Sequence, residues 1–456
     1  MMVGLDHLGL DHLGRPGLET APRKSQSIFN VIGSTLSTVF VSQTHHSILP
    51  APRSIMPPSQ KQSRSEVSHL EQADAENQSP STVHGFAAVA DQLPKGYYTS
   101  SYFLGSCFAV GMSAASAWGG FGFIGPILGQ IDADLGPSPN ILWVALVYTL
   151  GTGVGLLLVG RITDLFGRRW FFIGGSALGL IGAIVAATAT SVNTLIGGET
   201  LIALGASAGL SYPLTLGEMV PMKYRFVANG LIYIFAFGTS GMGAAVSTAL
   251  ILHTGPQWRW CYYILIICNG LAALSWFAFY HPPTFHMKWG RQSRTKVVKD
   301  FDYIGLVLFM AGLILFLIGL TWGGTAYPWR SAHVISTIII GFLCLVALAV
   351  WETFGSPREP LLPMYLFKNR GYVAAVLLVS LGATVYYAFA IIWPAMVATV
   401  YGDGRPMWVG WISSLVGIGI TVGELIGGIF AEKIGKVKYQ CITMITLGSI
   451  FLAGTS

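Results

Sequence analysis

Gly160-Arg-Ile-Thr-Asp164-Leu-Phe-Gly167-Arg168-Arg169 returns 268 residues later as Gly428-Ile-Phe-Ala-Glu432-Lys-Ile-Gly435-Lys436. Both stretches read G-x-x-x-[DE]-x-x-G-[RK], and each follows directly on a long apolar run. The residue types suit a tight turn between two helices at a membrane surface. Glycine accepts close approach and a positive φ. The acid is suited to the exposed amides of a helix start. The basic residues favour the anionic inner leaflet. One copy alone is compatible with any ordinary positive loop; two copies at matched places indicate a duplicated unit.

Working outward from these turns, the chain is a series of apolar runs. Spanning a bilayer takes about 20 apolar residues as helix. Runs of that size lie near 103–126, 141–160, 170–190, 194–217, 227–251, 261–280, 303–322, 332–352, 372–398 and 408–430, and another begins at 439. Lipid offers the backbone no hydrogen-bond partner, so these runs must be helical. The fold class is therefore all-α and polytopic. With the N-terminus inside, the inner loops carry sixteen basic residues and the outer loops only Arg259, Arg330 and Arg405. That bias supports the count of spans and a cytoplasmic N-terminus.

Composition agrees. Only 10% of the 456 residues are charged and 53% are hydrophobic, against about 25% charged in soluble domains. That excludes an ordinary soluble enzyme, and the apolar content excludes disorder throughout. The net charge of +6 is not a nucleic-acid signal: residues 1–95 carry −1, and the +7 of residues 96–456 sits in short loops where topology accounts for it. The five cysteines all lie in or beside apolar runs without a CxxC, so no disulfide framework is expected. Residues 1–95, rich in Ser, Gln, Pro and His, are read as a mostly disordered tail. Ile28–Val41 is too short and too interrupted to span. The tandem GLDHL that places His7 and His12 near Asp6 and Asp11 is read as a chance repeat, not a metal site. The sequon at Asn77, being inside, is expected to stay unglycosylated.

The duplicated turn resembles the signature loop between helices 2 and 3 of the major facilitator superfamily, whose fold has two six-helix halves with weak copies of the loop in each. In a twelve-helix member the second copy follows helix 8. Here it follows helix 10, so two helices, near 303–322 and 332–352, stand between the halves. This resembles the fourteen-helix drug:proton antiporter group, as do Asp302-Tyr-Ile-Gly305 and Glu359-Pro-Leu-Leu-Pro363…Phe367-Lys-Asn-Arg370. Gly217-Glu218-Met-Val-Pro221-Met-Lys223-Tyr-Arg225, Trp258-Arg-Trp260 and Lys436-Val-Lys-Tyr-Gln440 look like the fungal trichothecene-efflux-pump and siderophore-transporter-like branch, over about 101–456. The resemblance implies a tail over 1–95, a six-helix bundle over 96–280, a linker with two inserted helices over 281–355, and about three helices of a second bundle over 356–456. Fourteen helices would need three more beyond the eleventh, so a C-terminally truncated chain with an incomplete second bundle is expected.

The resemblance also implies site residues. Gly160, Asp164, Gly167, Arg168, Arg169, Glu218 and Arg225 belong to the signature loop and its gating relay, with Glu218 paired to Arg225 or to the 164–169 turn and helping to hold an outward-facing state. Gly428, Glu432, Gly435 and Lys436 form the repeat loop. Ionisable residues at membrane depth are costly and mark function by default. Glu424, inside the tenth helix, is the first candidate proton site. Glu199, near the outer end of the fourth, is the second, with a pore-mouth or capping role equally open. Asp132 and Asp134 fall in the first outer loop and are read as solvated. Trp118, Tyr212, Tyr233, Tyr387 and Trp393 are candidate cavity residues. Small residues four apart at Gly151/Gly155, Gly175/Gly179, Gly205/Gly209 and Gly419/Gly423/Gly427 suit close helix packing, and Pro213 and Pro394 suit bends. Two features depart from the antiporter pattern. The fourth helix has no basic residue, and the fifth carries Gly241-Met242-Gly243-Ala-Ala245 where the group has a proline-containing glycine motif.

The function expected from these residues is secondary active transport of a small molecule by alternating access: proton-coupled efflux of a toxin or drug-like metabolite. The alternatives are siderophore-iron uptake by proton symport and a non-transporting paralogue. No Walker loop, histidine cluster or metal spacing supports an enzyme, an ATP-driven pump, a metal site or a cofactor. The expected partners are a small-molecule substrate, the proton and membrane lipids, in the plasma membrane.

Overall fold

The computed structural model describes residues 96–281, 301–324, 327–355, 361, 364–402 and 404–453. The readings made for the 1–95 tail, for the sequon, for the basic loop at 282–300 and for Glu359–Pro363 lie outside these residues. Among the described residues there are fourteen α-helices: α1 Ser101–Gly122, α2 Leu128–Leu135, α3 Leu142–Phe166, α4 Arg168–Ala187, α5 Val192–Leu210, α6 Tyr212–Met219, α7 Arg225–Ala236, α8 Gly243–His253, α9 Arg259–Phe279, α10 Tyr303–Trp322, α11 Ala332–Phe354, α12 Arg370–Val400, α13 Pro406–Ile434 and α14 Val437–Ala453. Nine helical stretches are long and apolar enough to cross a bilayer, and α7 with α8 makes a tenth, bent by 42°. Each run read from the sequence falls on helix, though those near 194–217 and 227–251 are each divided into two helices.

The helices begin where short polar side chains take up free amides. Ser100 accepts from the Phe103 amide at 3.2 Å, Ser191 from Thr194 at 3.2 Å, Asp302 from Gly305 at 2.8 Å and Asn369 from Gly371 at 3.0 Å. The matched turns pass from helix to helix almost without a loop. α3 ends at Phe166 and α4 begins at Arg168; α13 ends at Ile434 and α14 begins at Val437. Gly167 has φ 80° and Gly435 φ 60°. A Cβ at either would meet nothing within 4 Å, so backbone conformation, not crowding, makes these two positions glycine.

The first six spans pack through small residues. A Cβ on Gly205 of α5 would meet the Gly175 carbonyl and the Gly179 amide of α4, both at 2.6 Å, and one on Gly209 would meet the Ser113 carbonyl of α1 at 2.6 Å. Gly151 abuts Ala203 at 2.8 Å and Gly155 abuts Ser207. Small residues let backbones approach where lipid supplies no hydrophobic drive. Polar groups tie the same interior: Trp276 Nε1 donates to Ser113 Oγ at 2.8 Å, and Asn269 Nδ2 donates to Ser116 Oγ at 2.6 Å.

The bend between α7 and α8 has a local cause. Phe237–Gly241 is one π-helical turn, closed by the Met242 amide on the Phe237 carbonyl at 2.7 Å. An extra residue in the turn breaks the i to i−4 ladder and kinks the helix. The bend therefore arises without the proline that the antiporter pattern puts here. Pro213 stands at the start of α6, at the break between α5 and α6. Pro394 lies inside a helix that runs unbroken from Arg370 to Val400, so it does not interrupt α12 as expected.

α13 lies antiparallel along α7–α8 and shares one register with them. Gly410 faces Thr248, Ser414 Oγ accepts from the Ala245 amide at 2.8 Å, Gly417 faces the carbonyls of Ser240 and Gly241, and Gly428 faces Gly230 with a Cβ-to-Cα approach of 2.7 Å. Eighteen residues separate Gly410 from Gly428, and 18 separate Gly230 from Thr248. The expected stripe at Gly419/Gly423/Gly427 is not the packing face: a Cβ there would meet nothing within 4 Å. The contacting residues recur at spacings of three, four and seven, mixing Gly with Ser and Thr, and a search for glycines four apart overlooks them.

Candidate functional site

The first cluster is the turn at the end of α3. Arg168 pairs with Glu218, at the end of α6. Arg169 donates through Nη2 to the Phe277 carbonyl at 2.6 Å and lies 5.3 Å from the centre of the Phe277 ring. Arg225 does not take Glu218; its Nε donates to the Val220 carbonyl at 3.2 Å. Of the two partners expected for Glu218, the structure selects the turn. Tyr97, ahead of α1, donates to the Met219 carbonyl at 3.2 Å and binds the chain's approach to the same end. Gly160 lies open in the last turns of α3. In the repeat turn, Lys436 has φ 46° and Gln440 donates back to the Gly435 carbonyl. The side chains of Asp164 and Glu432 lie outside the described residues.

These turns share one end of the molecule. Gly428 touches Gly230, which lies one turn and a half from Arg225. Arg225 bonds Val220, two residues from the Glu218 that holds Arg168. At the opposite end, Leu142 at the start of α3 and Pro406 at the start of α13 line one cavity.

The second cluster is aromatic. Trp118 of α1 stacks on Tyr233 of α7 with centroids 4.5 Å apart, and meets Tyr212 of α6 edge-on at 5.6 Å. Glu424 of α13 is near enough to the Tyr212 and Tyr233 hydroxyls to act on them electrostatically. The shared register explains this meeting, since counting seven residues on from Gly417 opposite Ser240 sets Glu424 beside Tyr233. Glu424 itself is solvent-accessible on α13. The structure thus gathers Trp118, Tyr212, Tyr233 and Glu424. It does not add Tyr387 or Trp393. Tyr387 packs edge-on against Phe121 at 4.7 Å, and Trp393 donates to the Ile412 carbonyl at 3.0 Å.

Glu199 is elsewhere. It is 1% exposed in the core of the first bundle, and Tyr262 donates to its Oε1 at 2.7 Å. Its Oε2 has no hydrogen-bond partner among the described residues. That corrects both the pore-mouth and the capping readings: the helices around α5 enclose the position. Asp134 is also corrected. It is not simply solvated but accepts from Trp258 Nε1 at 2.8 Å and pairs with Arg259 at 3.2 Å, while Asp132 accepts from the Ser138 amide at 2.9 Å. Tyr148, Tyr262 and Asn269 were not anticipated. Each is a scattered polar group on a largely apolar helix, and nothing in the local pattern separates such a residue from one at the lipid interface. Among the described residues no three metal-ligating side chains gather; His7 and His12 lie outside them.

Matched turns at one end, small-residue crossings and a second helical group facing the first define a polytopic membrane protein of the major facilitator type. The chain belongs to the fungal trichothecene efflux pump family, whose profile matches residues 65–456. It is 32% identical over 375 residues to the trichothecene efflux pump TRI12 of Fusarium sporotrichioides, covering 81% of this chain and 62% of that one. The trichothecene efflux pump TRI12 of Trichoderma arundinaceum is 30% identical over 362 residues, covering 78% and 60%. Multidrug resistance protein 3 of Bacillus subtilis is 26% identical over 329 residues, covering 72% and 61%. The chain spans about three fifths of the length of these relatives.

Proposed function

We propose that this chain is the transporting part of a secondary carrier that exports a toxin or drug-like metabolite by alternating access, driven by proton exchange. The relatives named as trichothecene efflux pumps supply the substrate class. The observation that carries the reading is the gathering of Glu424 with Trp118, Tyr212 and Tyr233 where α13 crosses α7. Three flat rings offer apolar surface to a bulky ligand, and a carboxylate at membrane depth beside two phenols offers a group that takes and returns a proton. Glu199, enclosed behind Tyr262, serves as a secondary candidate. The Arg168–Glu218 pair closes the inner end in one state and opens in the other.

In this reading residues 96–280 form one bundle, α10 and α11 an inserted pair, and 356–456 part of the facing bundle. The N-terminus is cytoplasmic and the carrier works in the plasma membrane. The test is accumulation of a tritiated trichothecene in yeast expressing the chain. Expressing cells are expected to retain less toxin than controls, an uncoupler should abolish the difference, and Glu424→Gln should do the same. Equal retention with and without the chain overturns export. Uncoupler-resistant export overturns proton drive. Uptake of a ferric siderophore instead would reverse the direction.

A further inference from the structure

α6 takes part in both clusters. Tyr212, its first residue, meets Trp118 in the ring group, and Glu218, its seventh, holds Arg168 at the turn. About 9 Å of helix separates the two. The helix is eight residues long and is interrupted on either side. Ser211 divides it from α5, and Pro213 brings no amide to its first turn. Val220 beyond it is extended, with φ −122° and ψ 130°. Two turns of helix are marginal by themselves, so what fixes α6 comes from outside it.

Burial holds its middle: Thr215 and Leu216 are enclosed. The carbonyls at its end, which no further helical amide reaches, are taken by two side chains. Arg225 Nε donates to Val220 at 3.2 Å, and Tyr97 Oη donates to Met219 at 3.2 Å from 122 residues away. The approach to α1 is shaped to deliver that hydroxyl. Gly96 turns the chain with φ 83°, a conformation that a side chain would strain. One 3-10 turn, Tyr97–Thr99, follows, and Ser100 Oγ donates to the Tyr97 carbonyl at 2.6 Å. The Tyr97 ring packs on Tyr98 and Phe103, with centroids 5.6 Å and 5.3 Å away, and is buried. A buried tyrosine needs a partner for its hydroxyl. The partner here is the carbonyl of the residue next to Glu218.

We propose that Tyr97 is a positioning residue for transport. Its hydroxyl fixes the last turn of α6, which keeps Glu218 on Arg168 while Tyr212, two turns back, stays against Trp118. The segment ahead of α1 is then part of the closing device. The role in transport rests on the proposed function, in which Arg168 and Glu218 close one end; the placement of Glu218 does not.

The test is a double-mutant cycle with Arg168→Gln and Glu218→Gln, run on the full chain in detergent with Tyr97 and again with Tyr97→Phe. With Tyr97 the pair should show a coupling factor of about five in the unfolding equilibrium constant. With Tyr97→Phe, which keeps the ring and its packing, the factor should fall below about two. Gly96→Ala keeps the hydroxyl but strains the turn that delivers it, and should lower the factor in the same direction. Should Tyr97→Phe not fold, Gly96→Ala decides on the same criterion. The maximal rate of trichothecene export from yeast should fall about threefold in Tyr97→Phe at unchanged KM, since the rings of the cluster are untouched. A purely structural tyrosine would lower the melting temperature and leave the factor as it was; that result, or a lowered factor with an unchanged maximal rate, overturns the proposal. A lowered factor in a chain that exports nothing removes the transport reading and leaves the placement of Glu218 standing.

Discussion

Helices α1 and α2 and the α10–α11 hairpin are of comparable apolar length, yet they meet their surroundings in opposite ways. In α1 with α2, 78% of the apolar window is buried within the protein; in α10 and α11 the figure is 17%. The two hairpin helices are also the most apolar in the chain. They pack on each other, Gly341 against Phe316 and Gly312 against Leu345, and Trp351 Nε1 donates to Asp302 at 3.0 Å across their base. They make little contact with the rest of the described chain. Apolarity in a membrane therefore marks surface for lipid. The interior is recognised by what lipid would reject: Ser113, Ser116, Glu199 and Asn269 are buried in the bundle, held by partners on other helices.

This contrast can be broken by mutation. The largest effect is expected at Gly205. Gly205→Leu drives a side chain into the backbone of α4, and overpacking of this kind costs about 3 kcal/mol. The melting temperature of the chain in detergent should collapse. Gly312→Leu forces the same intrusion on the hairpin, where Leu345 stands 2.8 Å from the new Cβ, and should leave the melting of the bundle in place. Equal loss in the two variants would mean that the hairpin is part of one cooperative unit with the bundle.

A smaller effect is expected at Tyr262. Tyr262→Phe leaves the enclosed Glu199 carboxyl without its donor and should cost about 2 kcal/mol; Glu199→Gln, which still accepts from Tyr262, should cost less. The order of the two melting temperatures decides whether the carboxyl's satisfaction or its charge matters to the fold. Next comes the turn at the end of α3. Arg168 and Glu218 are partly shielded, at 24% and 17% side-chain exposure. A double-mutant cycle with Arg168→Gln and Glu218→Gln should give a coupling of about 1 kcal/mol, and zero coupling would remove the pair from any gating role. The smallest effect falls at Asp134→Asn, which keeps an acceptor for Trp258 but removes the charge from a pair 30% and 40% exposed. About 0.5 kcal/mol is expected after screening, and it should vanish at high salt.

Much of this architecture was legible in the residues. Apolar length places the spans, and the G-x-x-x-[DE]-x-x-G-[RK] turns declare the duplication, because a positive φ at Gly167 and Gly435 restricts what can stand there. Glu218 could be assigned to two partners but not to one, since Arg168 and Arg225 are both within reach and only folding brings one to the carboxylate. The meeting of Glu424 with Tyr233 was hidden, because it depends on the register between residues 191 positions apart in the chain. Glu199 was misplaced toward the surface for a related reason. Its distance along α5 from the helix end says nothing about which helices crowd around it. The bend at Phe237–Gly241 was equally silent, as a π-turn needs no proline and has no fixed residue pattern.

The common register of α13 with α7–α8 has a mechanical consequence. Over 18 residues, about 27 Å of helix, small side chains on one rod sit against small side chains on the other, straight through the kink. Sliding by even one residue would carry Trp411, Leu415 or Ile429 into slots now filled by Gly or Ser. Swivelling about the seam disturbs none of those slots. Along this seam α13 is joined to α7–α8 as a lid is joined along a piano hinge, barred from shearing.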